Sequence, residues 1–301
     1  MLYRWRTPFY LTEFSFNYKS FLLQFFLNEG WKRGKTMKKL VSLKNVSWQR
    51  GNRTILDSIN WEISSGEQWA VLGLNGSGKT SLLNIVCGYQ YPTKGEVVVL
   101  GERFGETNIP ELRKKIGIVS HSLSRFDNVL KNESVEEIVL SGKFASIGLY
   151  EQVSHEDLDQ ADAFMEQFRI GYLKGSAYQS LSQGEKMRVL IARAFMANPE
   201  ILILDEPCSG LDIRAREELL NAVQETIIEK KLHLFYVTHH IEEIIPTISH
   251  VLVLENGRVI AAGAKEDVLT DDVLSEAFSI PVRVHWEDER PWLTVKRKQY
   301  Q

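Results

Sequence analysis

A glycine-rich run in the first third of the sequence has the residue types and spacing of a phosphate-binding loop. The run Gly73-Leu-Asn-Gly-Ser-Gly-Lys79-Thr80 fits G-x-x-x-x-G-K-[ST] and lies between a predicted strand and a predicted helix. Glycines allow backbone N–H groups to converge on phosphate oxygens, and the helix N-terminus adds the positive end of its dipole. Lys79 would place its ammonium on the β- and γ-phosphates, and the Thr80 hydroxyl would ligate Mg²⁺. A flexible loop that binds nothing is the alternative. The predicted ATP-binding residues of the loop are Gly73, Leu74, Asn75, Gly76, Ser77, Gly78, Lys79, Thr80 and Ser81.

Two carboxylates follow an apolar run further along the chain. The run from Ile201 to Leu204 predicts a buried parallel strand, and Asp205 and Glu206 come directly after it. Ligands of parallel sheets bind at the carboxyl ends of the strands, so these side chains are expected beside the phosphate loop. Asp205 would hold Mg²⁺ directly or through water, and Glu206 would orient or deprotonate an attacking water. By itself such a strand end is more often only solvated, and the glycine loop upstream favours the functional interpretation.

Three further motifs, taken together with these two, resemble the family of ABC-type ATPases. Leu181-Ser-Gln-Gly-Glu185 resembles the signature motif, Ser209-Gly-Leu-Asp212 resembles the D-loop, and Thr238-His239 resembles the H-loop. The motifs occur in the family's order between about residue 40 and about residue 265. The pentapeptide alone would indicate no more than a capped helix start. The predicted signature residues are Leu181, Ser182, Gln183, Gly184 and Glu185.

The resemblance implies a site shared between two subunits. Ser182 and Gly184 open a helix whose N–H groups and dipole favour an anion. The family places this end against the γ-phosphate held by the loop of a second subunit, so that two ATP molecules lie in a head-to-tail dimer. The resemblance also implies that His239 contacts the γ-phosphate and helps to place the water, and that Asp212 crosses the dimer interface. A lone histidine at a strand end is more often structural, but the family register favours the catalytic role.

The sequence departs from the family's pattern in the Q-loop, the adenine contact and the signature. His121 stands where the family has a glutamine that contacts Mg²⁺, and we expect this histidine to ligate the metal in a pH-dependent manner. Arg50 stands at the register of the aromatic residue that stacks on adenine, and a guanidinium plane can stack on a ring. Trp48 is the alternative stacking residue, or else a core aromatic. Gln183 and Glu185 replace a glycine and a glutamine of the signature, and a glutamate suits the start of a helix.

The elements around these motifs predict an α/β protein. Residues 40–72 have strand patterns, the segment from about 123 to 197 is helical, and strands alternate with helices after Pro199. Ser134, Ser154 and Ser182 are predicted helix starts, the last of a helix that runs to Pro199. With the resemblance, this predicts a P-loop NTPase (RecA-like) core with an N-terminal antiparallel β subdomain and an inserted α-helical subdomain. The predicted boundaries are 37–265 for the ATPase domain and 266–301 for a C-terminal tail.

Residues 1–36 differ in composition from the rest of the chain. They are dense in aromatic side chains and have neither helical nor strand periodicity. The family register begins only after Met37. We therefore expect translation to start at Met37 and the preceding residues to be untranslated or unstructured. The alternative is a genuine extension that packs on the domain or recruits a partner.

Composition restricts the partners of the chain. A formal net charge of −3 over 301 residues argues against nucleic acid, since phosphate backbones select basic surfaces. Cys87 and Cys208 are far apart, without metal-ligand spacing, and are expected to stay reduced. No stretch approaches the roughly 18 to 20 apolar residues of a membrane helix, so we expect a protein that is cytosolic by itself.

The leading interpretation is the ATP-hydrolysing subunit of an ABC transporter that uses ATP and Mg²⁺. Its expected partners are a second ABC ATPase subunit, in a homodimer, and a separate integral membrane permease that holds it at the inner face of the cell membrane. The alternative is a soluble ABC ATPase that acts as an ATP-driven switch on a cytosolic target.

Overall fold

The strands of the computed structural model, which describes residues 38–120, 127–144, 146 and 148–296, form two sheets and a separate hairpin. Residues 1–36 and His121, on which two of the predictions depend, lie outside these ranges. The strands are Lys39–Arg50 (β1), Arg53–Ser64 (β2), Trp69–Leu72 (β3), Lys94–Val99 (β4), Glu102–Arg103 (β5), Ile116–Ser120 (β6), Ile201–Asp205 (β7), His233–Thr238 (β8), His250–Glu255 (β9), Arg258–Ala264 (β10), Val282–Glu287 (β11) and Arg290–Val295 (β12).

Helices connect the strands and fill the segment between β6 and β7. Within the described ranges, no helix is both long and apolar enough to cross a membrane. The helices are Lys79–Val86 (α1), Ile109–Lys114 (α2), Asp127–Leu130 (α3), Val135–Ser141 (α4), His155–Gln167 (α5), Gln183–Met196 (α6), Ile213–Lys230 (α7), Lys265–Val268 (α8) and Asp271–Phe278 (α9).

The two large sheets differ in strand direction. The first is antiparallel and has the order β2-β1-β4-β5, and the second has the order β10-β9-β3-β8-β7-β6. In the second sheet the strands from β9 to β6 are parallel, and only the edge strand β10 runs antiparallel to its neighbour. Every residue of β3 and β7 is buried, as expected for parallel strands covered on both faces. This arrangement confirms the predicted α/β core and the predicted antiparallel N-terminal sheet.

Successive residues of the central strands belong to two different cores. Ala70 and Leu72 pack with the helices that lie between β6 and β7, whereas Trp69 and Val71 pack with α1 and the antiparallel sheet. Strand side chains alternate between faces, so one short apolar strand can serve both layers. The carboxyl end of β3, from which the glycine-rich loop departs, is therefore fixed from both sides.

Three of the helices start at the predicted serine caps. The side chains of Ser134, Ser154 and Ser182 each accept the N–H of the residue three positions later, and the acidic side chain of that residue accepts the serine N–H. The helix after Ser182 ends at Met196, earlier than the predicted Pro199. Asn198 adopts a left-handed φ of 47°, and a residue before proline is disfavoured in the helical region.

The segment predicted as a tail is built into the same unit as the ATPase motifs. It forms α8, α9 and the β11–β12 hairpin, and Leu274, Ala277 and Val282 are buried in the core that contains the helices. Arg290 ties the hairpin to the rest of the unit, because its guanidinium donates to Glu217 Oε2 of α7 at 2.5 Å and to the Glu242 carbonyl. Burial alone would raise the pKa of Glu217, but Arg290 and Arg216 outweigh it and hold that pKa below its ordinary value.

We expect Arg290→Met to lower the free energy of unfolding by about 2 kcal/mol, since the partly buried Glu217 carboxylate loses its closest partner and keeps the longer contact with Arg216. Urea denaturation at pH 7 measures the change. Arg214→Met is the matched control. Arg214 is 86% exposed in an i,i+4 pair, and its loss should change the free energy by less than about 0.5 kcal/mol.

The folded-state pKa of Glu217 is lowered, so its pairing stabilises the protein fully above pH 4.5, its ordinary pKa, and the contribution is lost as the pH falls through the folded-state value. The difference between the parent and Arg290→Met should therefore narrow below pH 4.5. Equal stabilities of the two arginine variants at neutral pH would contradict the role given to Arg290.

Candidate functional site

The glycine-rich loop leaves β3 at Gly73 and ends at the start of α1. Gly76 and Gly78 have φ angles of 85° and 108°, in the left-handed region that favours glycine. A Cβ at Gly73 would lie 2.3 Å from the Leu254 carbonyl oxygen and 2.7 Å from Ser77 Oγ. The loop therefore requires glycine at these positions for its turn and for its close approach to β9.

The β9–β10 turn and β2 hold this loop from outside. The N–H of Gly257 donates to the Ser77 carbonyl at 2.9 Å, and the N–H of Asp57 donates to the Gly257 carbonyl at 2.8 Å. Within the described residues, Ser77 Oγ is buried without a hydrogen-bond partner. Buried polar atoms are normally paired, so this hydroxyl and the glycine cradle around it fit an anionic ligand.

Lys79 places a buried ammonium in the loop. Its Nζ donates to the carbonyl oxygens of Gly73 and Leu74 at 2.7 and 3.2 Å and lies 3.5 Å from Glu206 Oε1. Only 5% of the side chain is exposed. Burial lowers the pKa of Lys79, and the carboxylates of Glu206 and Asp205 oppose that shift. The site thus keeps a cation at the position where phosphate oxygens would approach the loop.

Asp205 and Thr80 supply oxygen ligands of the type that Mg²⁺ prefers. Asp205 Oδ2 accepts a bond from Ser120 Oγ at 2.9 Å and lies 3.4 Å from Thr80 Oγ1. Burial raises the pKa of Asp205. Across the described ranges, no cluster of three or more His, Cys, Asp or Glu side chains could hold a metal. Among the described side chains, Thr80 and Asp205 would hold a magnesium ion. His121, the third predicted ligand, lies outside the described residues.

Glu206 and His239 meet at the ends of β7 and β8. Glu206 Oε1 lies 3.1 Å from His239 Nδ1, and the two side chains are 26% and 29% exposed. Glu206 has a φ of 52°, a strained conformation for a non-glycine residue, and its N–H donates to the Val237 carbonyl at 2.8 Å. The fold thus holds a carboxylate and an imidazole at hydrogen-bond distance, beside the ammonium of Lys79.

Most of the predicted nucleotide residues line one cavity of about 470 Å³, a size typical of small-molecule sites. The sequence analysis did not assign Arg53, Ile55 or Ser120 to this site. The lining residues are Arg53, Ile55, Asn75, Gly76, Gly78, Lys79, Thr80, Ser81, Ser120, Asp205 and Glu206.

A bulge in β2 explains why Arg53 and Ile55 reach the cavity. Trp48 pairs with Leu56 and the next residue of β1 pairs with Thr54, so Ile55 is an extra residue on β2. A bulge redirects side chains, and bulges are frequent beside functional sites. No local sequence pattern marks this bulge, although Arg53 follows the Gly51-Asn52 turn closely.

The two predicted adenine contacts have different surroundings. Trp48 is half-buried and packs against the core under the antiparallel sheet. Arg50 is exposed and pairs across the strands with Arg53, the arginine that lines the cavity. Like charges on directly opposite strand positions are destabilising. Among the described residues, Arg53 lines the cavity and Arg50 does not, so the geometry favours Arg53 as the guanidinium that meets a nucleotide.

The signature residues lie at the start of α6. Glu185 Oε2 accepts the N–H of Ser182 at 2.7 Å, and Glu185 Oε1 accepts the hydroxyl of Tyr172 at 2.6 Å. These bonds, with that from Tyr172 the larger cause, lower the pKa of Glu185. The glutamate that replaces the family's glutamine is thus held within its own chain. The sequence analysis missed Tyr172, which lies 13 residues before its partner.

The signature and the D-loop pack against each other in one chain. A Cβ at Gly184 would lie 2.7 Å from Leu211 Cδ2, so the glycine makes room for the D-loop leucine. Asp212 then caps α7 by accepting the N–H of Ala215 at 2.8 Å. Leu181 is buried and Gln183 is exposed. A displacement of the D-loop would therefore change the packing of Leu211 against Gly184 of the signature.

Known proteins resemble this chain in sequence and in structure. The family model described as ABC transporter matches residues 56–209. YlmA of Bacillus subtilis (strain 168), an uncharacterized ABC transporter ATP-binding protein, is 46% identical over 259 residues, which cover 85% of this chain and 97% of YlmA. The solved structure of cbiO1 from Clostridium perfringens, part of the ABC transporter complex cbiONQ, has a TM-score of 0.67 at 28% identity and covers 79% of this chain and 93% of that one. A dimeric ATP-binding cassette bound to ADP and Pi has a TM-score of 0.65 at 26% identity, over 74% of this chain and 98% of that one.

We expect Arg53→Ala to raise the KM for ATP about fivefold, because a guanidinium that stacks on a base contributes about 1 kcal/mol. Arg50→Ala, the opposite member of the same strand pair, is the matched control and should change the KM less than about twofold. Steady-state ATPase assays measure both. A larger effect of Arg50→Ala would restore the original assignment of the adenine contact to β1.

Proposed function

Because this chain belongs to the ABC transporter family and is an ATP-binding, ATP-hydrolysing protein, we propose that it is the ATPase subunit of a transporter with a separate membrane permease. Two copies would hold two ATP molecules head to tail, each between the phosphate loop of one copy and the signature of the other. The cbiO1 protein is part of an ABC transporter complex, which supports assembly with other transporter subunits, and the dimeric cassette bound to ADP and Pi supports the pairing of two copies.

The observation that carries the proposal is the separation of the two halves of the site within one chain. Among the described residues, those that line the phosphate cavity do not include any residue of 181–185. The start of the signature helix nevertheless has backbone N–H groups and a dipole suited to an anion. A second copy would bring its signature to this cavity. Leu74 in the phosphate loop and Ile213 beside the D-loop are 45% and 74% exposed, and both would be covered by such a partner.

The residues in and beside the cavity would have different chemical roles. Lys79 and the loop N–H groups would bind the β- and γ-phosphates and neutralise their charge. Glu206 would accept a proton from the attacking water, and His239, at 3.1 Å from it, would orient that water and the γ-phosphate. Arg53 and Ile55 would contact the base and sugar end of the nucleotide. Thr80 and Asp205 would hold Mg²⁺, which supplies charge neutralisation on the phosphate oxygens when bound.

Glu206→Gln tests the assignment of the base. The amide keeps the shape and the hydrogen bond to His239 but cannot accept the proton, so we expect at least about a 100-fold lower kcat with ATP binding retained. Steady-state turnover and calorimetric binding of Mg-ATP measure the two effects. Glu229→Gln, the same change at a 65% exposed position of α7, should leave both unchanged. Turnover of Glu206→Gln at the parent rate would refute the role of this carboxylate.

The shared site predicts complementation between two inactive variants. Lys79→Ala disables the phosphate loop, and Ser182→Arg disables the signature while its own loop still binds ATP. Neither variant alone should hydrolyse ATP. An equal mixture should recover roughly a quarter of the parent activity, because random pairing makes half of the dimers mixed and each mixed dimer has one complete site. If the mixture is as inactive as its components, the site is not shared between copies.

A further inference from the structure

A buried network of polar side chains lies directly behind Glu206 and His239. Its four members are between 0% and 4% exposed, and the proposed chemistry assigns none of them a role. One follows Glu206 by two residues, one precedes His239, and the other two lie on β8 and on the turn after it. In chain order they are Cys208, Tyr236, Thr238 and Glu243.

Glu243 is the centre of this network. Its Oε2 accepts the hydroxyl of Thr238 at 2.7 Å and the hydroxyl of Tyr236 at 3.0 Å. Burial raises the pKa of Glu243 in spite of these two donors. A buried carboxyl group is unfavourable unless its hydrogen bonds are made, so both donors are needed at this position. The two bonds fix where the Glu243 side chain and the two hydroxyl groups stand relative to each other.

Thr238 transmits this constraint to the backbone around His239. Its Oγ1 donates to Glu243 and also accepts the N–H of His240 at 2.9 Å. The hydroxyl therefore connects the residue before His239 with the residue after it. The backbone of the histidine is held from both sides by a group that is itself fixed on a buried carboxyl.

The same network of side chains reaches the segment that carries Glu206. Tyr236 Oη lies 3.3 Å from Cys208 Sγ, two residues beyond Glu206, and the N–H of Glu206 donates to the carbonyl of Val237 between Tyr236 and Thr238. Contacts with the end of β8 thus position both Glu206 and His239. Loss of the Thr238 hydroxyl would release the histidine while leaving the backbone bond of Glu206 in place.

We propose that Glu243 and Thr238 are positioning residues that hold the imidazole of His239 against Glu206. The inference rests on the proposed roles of Glu206 and His239 and adds the group that fixes their separation. Glu243 acts through Thr238 and is not among the described residues that line the cavity. Since a misplacement of about 1 Å at a reacting centre lowers rates strongly, removal of the hydroxyl should lower kcat and leave nucleotide binding unchanged.

The test compares three variants of the full chain that differ by single atoms or groups. Thr238→Val keeps the shape but removes the hydroxyl, and should lower kcat about tenfold with a KM for ATP within about twofold of the parent. Thr238→Ser restores the hydroxyl and should restore at least half of the parent kcat. Thr226→Val is the control, since Thr226 is also fully buried but its hydroxyl, within the part of the chain that the structure describes, donates to the Ala222 carbonyl of its own helix. Its kcat should stay within twofold of the parent.

A double-mutant cycle with His239→Ala separates positioning from general damage. If Thr238 acts through His239, adding Thr238→Val to His239→Ala should change kcat by less than twofold. The same tenfold loss in both backgrounds would overturn the inference. If His239→Ala alone leaves kcat unchanged, the proposed role of His239 fails instead, which is a distinguishable result. Should Thr238→Val not fold, as judged by thermal melting, Tyr236→Phe enters the same cycle with an expected loss of about threefold that also depends on His239.

Discussion

The register of four parallel strands fixes the positions of the polar groups at the carboxyl ends of those strands. Leu72 of β3 pairs with Thr238 of β8, Asp205 of β7 pairs with Val237, and Ser120 of β6 pairs with Asp205. The four strands therefore end at one edge of the sheet. A slip of one residue in any of them would turn the following side chains to the opposite face and separate the groups. Burial on both faces of the sheet opposes such a slip, so the apolar strands are the precondition of the polar site.

The antiparallel sheet adds a second constraint from outside the parallel core. The bulge in β2 brings Ile55 against two glycines, since its carbonyl would lie 3.3 Å from a Cβ at Gly78 and 2.1 Å from a Cβ at Gly257. The ion pair of Arg258 with Asp57, 2.7 Å between Nη2 and Oδ2, closes the same corner. Any movement of β2 would thus be transmitted to the phosphate loop. The wall that is expected to meet the base and the loop that is expected to meet the phosphates form one packed unit.

The sequence was informative where function depends on local spacing, and uninformative where it depends on contacts between distant residues. The phosphate loop, the Asp205–Glu206 strand end and the serine caps are short patterns whose physics is local, and the structure has each of them at its predicted place. The β2 bulge depends on how two strands settle against α1 and β9. Tertiary packing also determines three other features: the bond from Tyr172 to Glu185, the contact of Arg290 with Glu217, and the network around Glu243. No periodicity or propensity marks such pairs, which is why the wall of the cavity and the support behind His239 were not predicted.

The glutamate in the signature has a physical explanation that follows from these tertiary contacts. A free carboxylate at the start of α6 would oppose an approaching phosphate, because like charges repel over the distances of an active site. Here both oxygens of Glu185 already accept bonds, one from the Ser182 N–H and one from the Tyr172 hydroxyl. The bonds from Tyr172 and Ser182 hold the pKa of Glu185 below its ordinary value, and a helix N-terminus favours a negative charge. Among the described residues, the Ser182 hydroxyl accepts the N–H of Glu185 and donates to no acceptor, so its proton can be donated to an anion. The start of α6 thus keeps the hydroxyl donor of Ser182, while both carboxylate oxygens of Glu185 are hydrogen-bonded within the chain.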